Sequence, residues 1–202
     1  MKPIAILGGA FDPVTLGHGW LIEVVEKLGF EVVCMPCGDR HSFDKKMRPA
    51  PERLEMLQLA IGSRQICDTE IQHGTYRAAD TYPLLLARYG QVHWIIGTDN
   101  ANCMERWHEG ERLKEIIPFI VVARKGQTLT EKGTWCLKAP HHFVADTQEN
   151  EISSTIARTA IAQGDWAKAS TVLPAKVLQL IQVRGWYSAP QKAPIPHTNT
   201  RL

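Results

Sequence analysis

The segment Gly8-Gly9-Ala10-Phe11-Asp12-Pro13-Val14-Thr15-Leu16-Gly17-His18 follows directly on the apolar run Pro3 to Leu7, and it constrains this chain more than any other stretch. It reads as a strand, a tight glycine turn and the start of a helix. Such a turn presents backbone N–H groups and the positive end of a helix dipole at one point, where a phosphate is the natural occupant. Glycine at 8 and 9 lets the backbone bend sharply and approach a ligand, while Pro13 fixes the chain just before the helix. Thr15 and His18, three residues apart at the helix start, share a face, so a hydroxyl and an imidazole reach the same phosphate. A nucleotide site is the first expectation.

The rest of the chain supplies the frame for such a turn. Ile4 to Leu7, Glu31 to Met35, Val92 to Ile96 and Phe119 to Ala123 are short, continuous and apolar, as strands covered on both faces are. Amphipathic stretches separate them at Trp20 to Leu28, Glu52 to Ile61 and Ala78 to Tyr89. Pro51 suits a first helical position, and Pro83 is expected within the first turn or so of its helix. This rhythm predicts an α/β fold with a Rossmann-like, doubly wound open parallel sheet, its ligand at the carboxyl ends of the strands. Ser153 to Gln163 and Pro174 to Arg184 read as C-terminal helices, the first capped by hydroxyls. Residues 1–188 are expected to form one domain. The remainder, 189–202, is rich in proline, lacks apolar periodicity and is expected to be a flexible tail.

At 202 residues the chain has a formal net charge of only +2, so no basic stripe for nucleic acid is present and phosphate binding must come from local geometry. No apolar run approaches the roughly 20 residues that cross a bilayer, and the first residues enter a strand pattern at once. A cytoplasmic protein is expected, with no nucleic acid or membrane partner. The five cysteines are scattered and odd in number, which fits reduced thiols better than a disulfide framework. Cys34 and Cys37 have metal-pair spacing, but no second Cys/His pair stands at a finger-like distance, and an incidental pair at a strand end is expected.

The segment Gly8 to His18 resembles the signature of the nucleotidyltransferase superfamily, a (His/Thr)-x-x-His pair after a strand and a Gly-x-Phe-x-Pro turn. Glu151-Ile-Ser-Ser-Thr-Ile-Ala-Arg158 resembles the Ile-Ser-Ser-Thr motif of its pyridine-nucleotide branch. Gly74 to Thr81, Ile95 to Asn100, Arg106-Trp107-His108, Val121 to Gly126 and Val172 to Tyr187 are similar to further elements of that branch. From residue 3 to about 187 the chain thus resembles the nicotinate/nicotinamide mononucleotide adenylyltransferase family, and the sheet is expected to be of the nucleotidyltransferase type.

The resemblance implies transfer of AMP from ATP to a pyridine mononucleotide in NAD biosynthesis. Both reactants are anions, so alignment and charge neutralisation matter more than a protein nucleophile. Gly8, Gly9, Ala10 and Phe11 with Thr15 and His18 would hold the α-phosphate region, and Arg158, supported by Ser153, Ser154 and Thr155, the β- and γ-phosphates. Gly97 and Asp99 would complete the ATP site, Asp99 reaching ribose hydroxyls. Gly9, Phe11, Thr81, Asp99, Trp107 and Arg124 would meet the pyridine nucleotide, Trp107 stacking on its ring. Lys45 and Lys46 fall where the family carries a catalytic lysine, Lys46 being the choice for catalysis, and which of them meets phosphate stays open. Mg²⁺ would ride on the ATP phosphates.

Thr15 stands where many bacterial members have histidine, and Ala157 where isoleucine is usual. Threonine there also occurs in pantetheine-phosphate adenylyltransferases, so that activity remains an alternative, as does a non-catalytic pyridine-nucleotide sensor. Nicotinate against nicotinamide preference and oligomeric state, a homo-oligomer included, are left open.

Overall fold

The computed structural model describes residues 2–40, 46–123, 126–145 and 152–188. Its strands are β1 (Ile4–Gly9), β2 (Glu31–Pro36), β3 (Val92–Gly97), β4 (Phe119–Val122) and β5 (His142–Val144). They form one five-stranded sheet in the order β2-β1-β3-β4-β5, with every pairing parallel. The order reverses between β1 and β3, so their carboxyl ends open a crevice between connections that leave in opposite directions. The expected doubly wound sheet is therefore present, and β5 adds a strand that the sequence pattern did not announce.

Period-two alternation sends successive strand residues into two separate cores. Ala5, Leu7, Val32, Cys34, Ile95, Ile120 and Val122 face one side, where they pack with α1 (Leu16–Lys27), α2 (Ala50–Ile61), α7 (Ser154–Ala162), α8 (Trp166–Ser170) and α9 (Ala175–Arg184). Ile6, Val33, Met35, Trp94, Ile96, Phe119 and Val121 face the other, against α4 (Ala78–Tyr89), α5 (Thr98–Asn102) and α6 (Gly110–Ile116). Both faces are dry, which is why these strands are apolar throughout rather than alternating with polar residues.

Two local expectations change. The first long helix starts at Leu16 rather than Trp20, because Thr15 is extended (φ −127°) and serves as its N-cap. Pro83 lies inside α4, beyond the first turn; it is exposed, so the Ala79 carbonyl that its missing N–H leaves without a helical partner sits on the solvent side. Cys34 is wholly buried in β2 and its thiol is pushed up to about 12 by burial, which suits an inert core residue. The tail at 189–202 lies outside the described residues.

One glycine shapes the segment after β3. A Cβ on Gly110 would stand 1.9 Å from the Met104 carbonyl oxygen, and its N–H donates to Trp107 O at 3.0 Å, so the turn carrying Trp107 closes only on glycine. Gly110→Ala should lower stability by about 1–3 kcal/mol, the usual range for overpacking. Denaturant unfolding reads this as a lower midpoint, and an unchanged midpoint would show that the turn opens freely.

Candidate functional site

A cavity of about 620 Å³ opens at the carboxyl ends of β1 and β3, lined by Gly8 and Gly9 from the first and Gly97 from the second. His18 of α1, Trp94 of β3, Asn100 of α5 and the run Arg106-Trp107-His108 continue the wall. Glu70 from α3 (Thr69–His73) and Tyr76, Arg77 and Ala78 at the start of α4 close it. The fold rule and the glycine turn thus lead to the same place.

The glycine turn is held from below. A Cβ on Gly8 would sit 3.3 Å from Trp94 Nε1, and Phe11, with φ 49°, tucks its buried ring against the His18 imidazole at 5.0 Å between centroids. Arg53 of α2 is fully buried and supports the same loop. Its Nη1 donates to Ala10 O at 2.7 Å, its Nη2 to Cys37 O and Gly38 O at 2.8 Å, and its Nε to Arg48 O at 2.8 Å. One guanidinium therefore ties the loop after β1 to the loop after β2.

Thr15 and His18 are arranged differently from the simple picture of two side chains on one phosphate. The Thr15 backbone N–H donates to His18 Nδ1 at 3.0 Å, and its buried hydroxyl lies 2.8 Å from the same nitrogen. Nδ1 is thereby an acceptor, so in the neutral ring the proton sits on Nε2. Thr15 orients the imidazole, and His18 is the residue that lines the cavity. Nor are all the α1 amides open: Leu16 N–H donates to Val172 O at 2.9 Å.

The late motif closes on the early one. Ser153 caps α7 by accepting from Ile156 N at 3.2 Å, Ser154 Oγ donates to Pro13 O at 2.8 Å, and Arg158 Nη1 donates to Asp12 O at 2.6 Å. Arg158 Nη2 also reaches Thr155 Oγ1 at 3.2 Å. The buried Asp12 carboxylate accepts a hydrogen bond from Tyr187, beyond α9. Ser153 to Arg158 are thus joined to the glycine turn through the Asp12-Pro13 loop and do not themselves wall the cavity.

The other expected positions fall as follows. Trp107 is half-buried in the wall, and its indole N–H meets no acceptor among the described residues. Asp99 lies half-buried in the first turn of α5, next to the cavity-lining Asn100; Gly97, not Asp99, is the N-cap. Thr81 is fully buried, its hydroxyl spent on Glu70 Oε1 at 3.1 Å and Thr75 Oγ1 at 3.0 Å, so Glu70 rather than Thr81 faces the cavity. Lys46 is exposed ahead of α2 and is not among the described lining residues. Lys45 and Arg124 lie outside the described residues.

Sequence reasoning missed Arg53 and Glu70. Arg53 carried a signal, since Ala50, Arg53, Leu57 and Ile61 share the buried face of α2, and a charge on an apolar stripe marks a buried tie. Glu70 carried none, because a five-residue helix shows no periodicity.

The chain matches the cytidylyltransferase-like family model over residues 6–160. It is 31% identical over 201 residues to the nicotinate-nucleotide adenylyltransferase of Bacillus subtilis, covering 94% of this chain and all of that one (100%). Among solved structures it resembles nicotinic acid mononucleotide adenylyltransferase of Plasmodium falciparum, in complex with NaAD, with a TM-score of 0.77 and 20% identity over 93% of this chain and 98% of that one. At that identity the likeness speaks to the fold.

Two outcomes follow from the site's geometry. Long-range proton–nitrogen NMR should find neutral His18 as the Nε2–H tautomer, and an Nδ1–H signature would remove Thr15 from its orienting role. Arg53→Met should cost about 3–5 kcal/mol in denaturant unfolding, since it strands carbonyls of two loops in the interior. A cost below about 1 kcal/mol would show that those loops need no tie.

Proposed function

The chain belongs to the cytidylyltransferase-like family, and on that premise we propose that it transfers AMP from ATP to nicotinate mononucleotide or nicotinamide mononucleotide, releasing pyrophosphate and giving the dinucleotide of NAD biosynthesis. The acceptor's 5′-phosphate oxygen attacks the α-phosphorus of ATP; that P–O bond forms as the bond to the β-phosphate bridge breaks, and the electron pair leaves with pyrophosphate. No covalent enzyme intermediate is required, so the protein's work is alignment and stabilisation of charge.

Roles follow from chemistry and placement. His18, oriented by Thr15, donates from Nε2 to charge growing on the α-phosphate oxygens. Amides of the Gly8 to Phe11 turn take the same phosphate region, with Gly97 and Asp99 toward the ATP ribose. Arg158 uses two of its donors on Asp12 O and Thr155 Oγ1, and its remaining donors face the β- and γ-phosphates in this reading, with Ser153, Ser154 and Thr155 completing the helix start. Trp107 offers its face to the pyridine ring and its indole N–H as a donor. Lys46 supplies mobile positive charge from the rim, Lys45 and Arg124 being assigned the same duty by resemblance only. Thr81 serves the pyridine end through Glu70.

ATP is taken as its Mg²⁺ complex. Mg²⁺ would be held by the substrate phosphates rather than by a protein cage. Residues 1–188 form the catalytic unit in this reading. No helix among the described residues is long and apolar enough to cross a membrane, and five cysteines without disulfides fit a reducing cytoplasm.

The contact that carries the proposal is the closure of two motifs, 141 and 146 residues apart at their hydrogen bonds, on the single Asp12-Pro13 loop beside the cavity. His18→Ala should lower turnover by roughly two orders of magnitude or more, followed as pyrophosphate release with ATP and either pyridine mononucleotide. Near-normal turnover would take His18 out of the reaction. Turnover of phosphopantetheine instead would reassign the acceptor, and binding without product would mark a sensor.

A further inference from the structure

A buried carboxyl looks into this cavity, and the chemistry of phosphoryl transfer gives it nothing to do. Glu70 is 7% exposed yet lines the wall. Thr81 Oγ1 donates to its Oε1 at 3.1 Å, and Thr81 is itself fixed against Thr75 at 3.0 Å. That anchoring takes one carboxyl oxygen and leaves the other for an occupant of the cavity.

Its position argues for the ring end of the acceptor. A carboxylate beside the triphosphate would oppose the charge that the glycine turn gathers. Glu70 is instead tied through Thr81 to Thr75, next to the cavity-lining Tyr76, and lines the same cavity as Trp107, Arg77 and Arg106. Arg77 and Arg106 put positive charge in the cavity as a whole, without acting on the Glu70 carboxyl itself. The other titratable groups in the wall are His18 and His108; Asp68, next in its own stretch, is engaged by Gln72 and Arg88. Burial pushes the Glu70 carboxyl up to about 7, with the Thr81 hydrogen bond pulling it down, and no charged side chain is among the causes. Both protonation states are therefore populated near neutrality.

We propose that Glu70 reads the substituent on the acceptor's aromatic ring, accepting a hydrogen bond from a carboxamide when ionised and donating one to a carboxylate when protonated. The proposal rests on the adenylyltransferase reading above. It assigns to one residue the choice between an acid and its amide, two acceptors of nearly equal shape that differ in charge and in which partner must donate. Repulsion between two carboxylates disfavours the acid once Glu70 ionises, whereas the amide keeps a partner in either state, its N–H donating to the ionised group and its oxygen accepting from the protonated one.

The test compares kcat/KM for nicotinate mononucleotide and nicotinamide mononucleotide from about pH 6 to about pH 8, in the wild type and in Glu70→Gln. This quantity follows the free enzyme's ionisation, and titration of the substrate phosphate and of His18, common to both acceptors, cancels in the ratio. In the wild type the acid-to-amide ratio should fall by at least about tenfold across that range, the change in protonated fraction of one group titrating near its middle. In Glu70→Gln, which keeps a donor and an acceptor but no charge, the ratio should be flat. A wild-type ratio that does not move with pH, or a Gln variant that keeps the wild-type slope, overturns the proposal while leaving the adenylyltransferase reading intact. Turnover of neither mononucleotide by the wild type overturns both. Melting curves show whether each variant folds. Should Glu70→Gln fail to do so, Thr81→Val decides: removing a donor to the ionised form should shift the midpoint of the ratio to higher pH, and an unshifted midpoint counts against Glu70.

Discussion

Taking a guanidinium out of water costs several kcal/mol, and a chain keeps one in its interior only where every donor is met. Arg53 meets that condition with backbone: carbonyls of Ala10, Cys37, Gly38 and Arg48, and the Cys37 sulfur at 3.6 Å, surround it. Its charge is balanced by a ring of dipoles more than by the exposed carboxylate of Asp39, 3.6 Å away. The consequence is positional. Loops leaving the carboxyl ends of adjacent strands would ordinarily move separately, and here one rigid planar group spaces them. Since the glycine turn is one of those loops, its geometry is inherited from a residue that does not line the cavity.

A second closure works from the opposite end of the chain. Ser154 and Arg158 take the carbonyls of Pro13 and Asp12, Val172 takes the first amide of α1, and Tyr187 takes the Asp12 carboxylate. Arg48, just ahead of α2, lies over the Trp186 ring at 4.6 Å and brings the terminal aromatics against the segment that also receives Arg53. The Ala10 to Leu16 stretch is thus gripped by residues from both halves of the sequence. Pre-organisation of this kind is what phosphoryl transfer demands, because displaced donors lose most of their effect on the developing charge.

What could be read in the residues was whatever repeats locally. β1, its glycine turn and α1, the apolar strands and the ends of α4 and α9 each rest on periodicity or on a turn residue, and the structure carries them with boundary shifts of a few residues. The three-residue β5 and the short α3, α5, α6 and α8 are too brief for a period to repeat and were not legible. At the site, the spacing of Thr15 and His18 was legible while the direction of their hydrogen bond was not, since it depends on the extended backbone of the N-cap. Glu70 was invisible as a site residue, and Arg53 showed only as a charge on the apolar stripe of α2, for a different reason. By residue type both belong on the surface, and only packing between distant segments buries them.

Charge completes the logic. A chain of net charge +2 that handles polyanions cannot rely on a general field, so each anion must meet donors placed for it. In the proposed reaction the glycine-turn amides, the oriented imidazole and the anchored Arg158 would do that for phosphates without any excess of lysine. The same reasoning explains why an acidic residue can be tolerated in the cavity. Backbone donors act over a hydrogen-bond length and not across a surface, so a carboxyl elsewhere in a cavity that also holds Arg77 and Arg106 does not weaken them. Its own ionisation is then governed by local burial, and selectivity for the acceptor can be set independently of how tightly the phosphates are held.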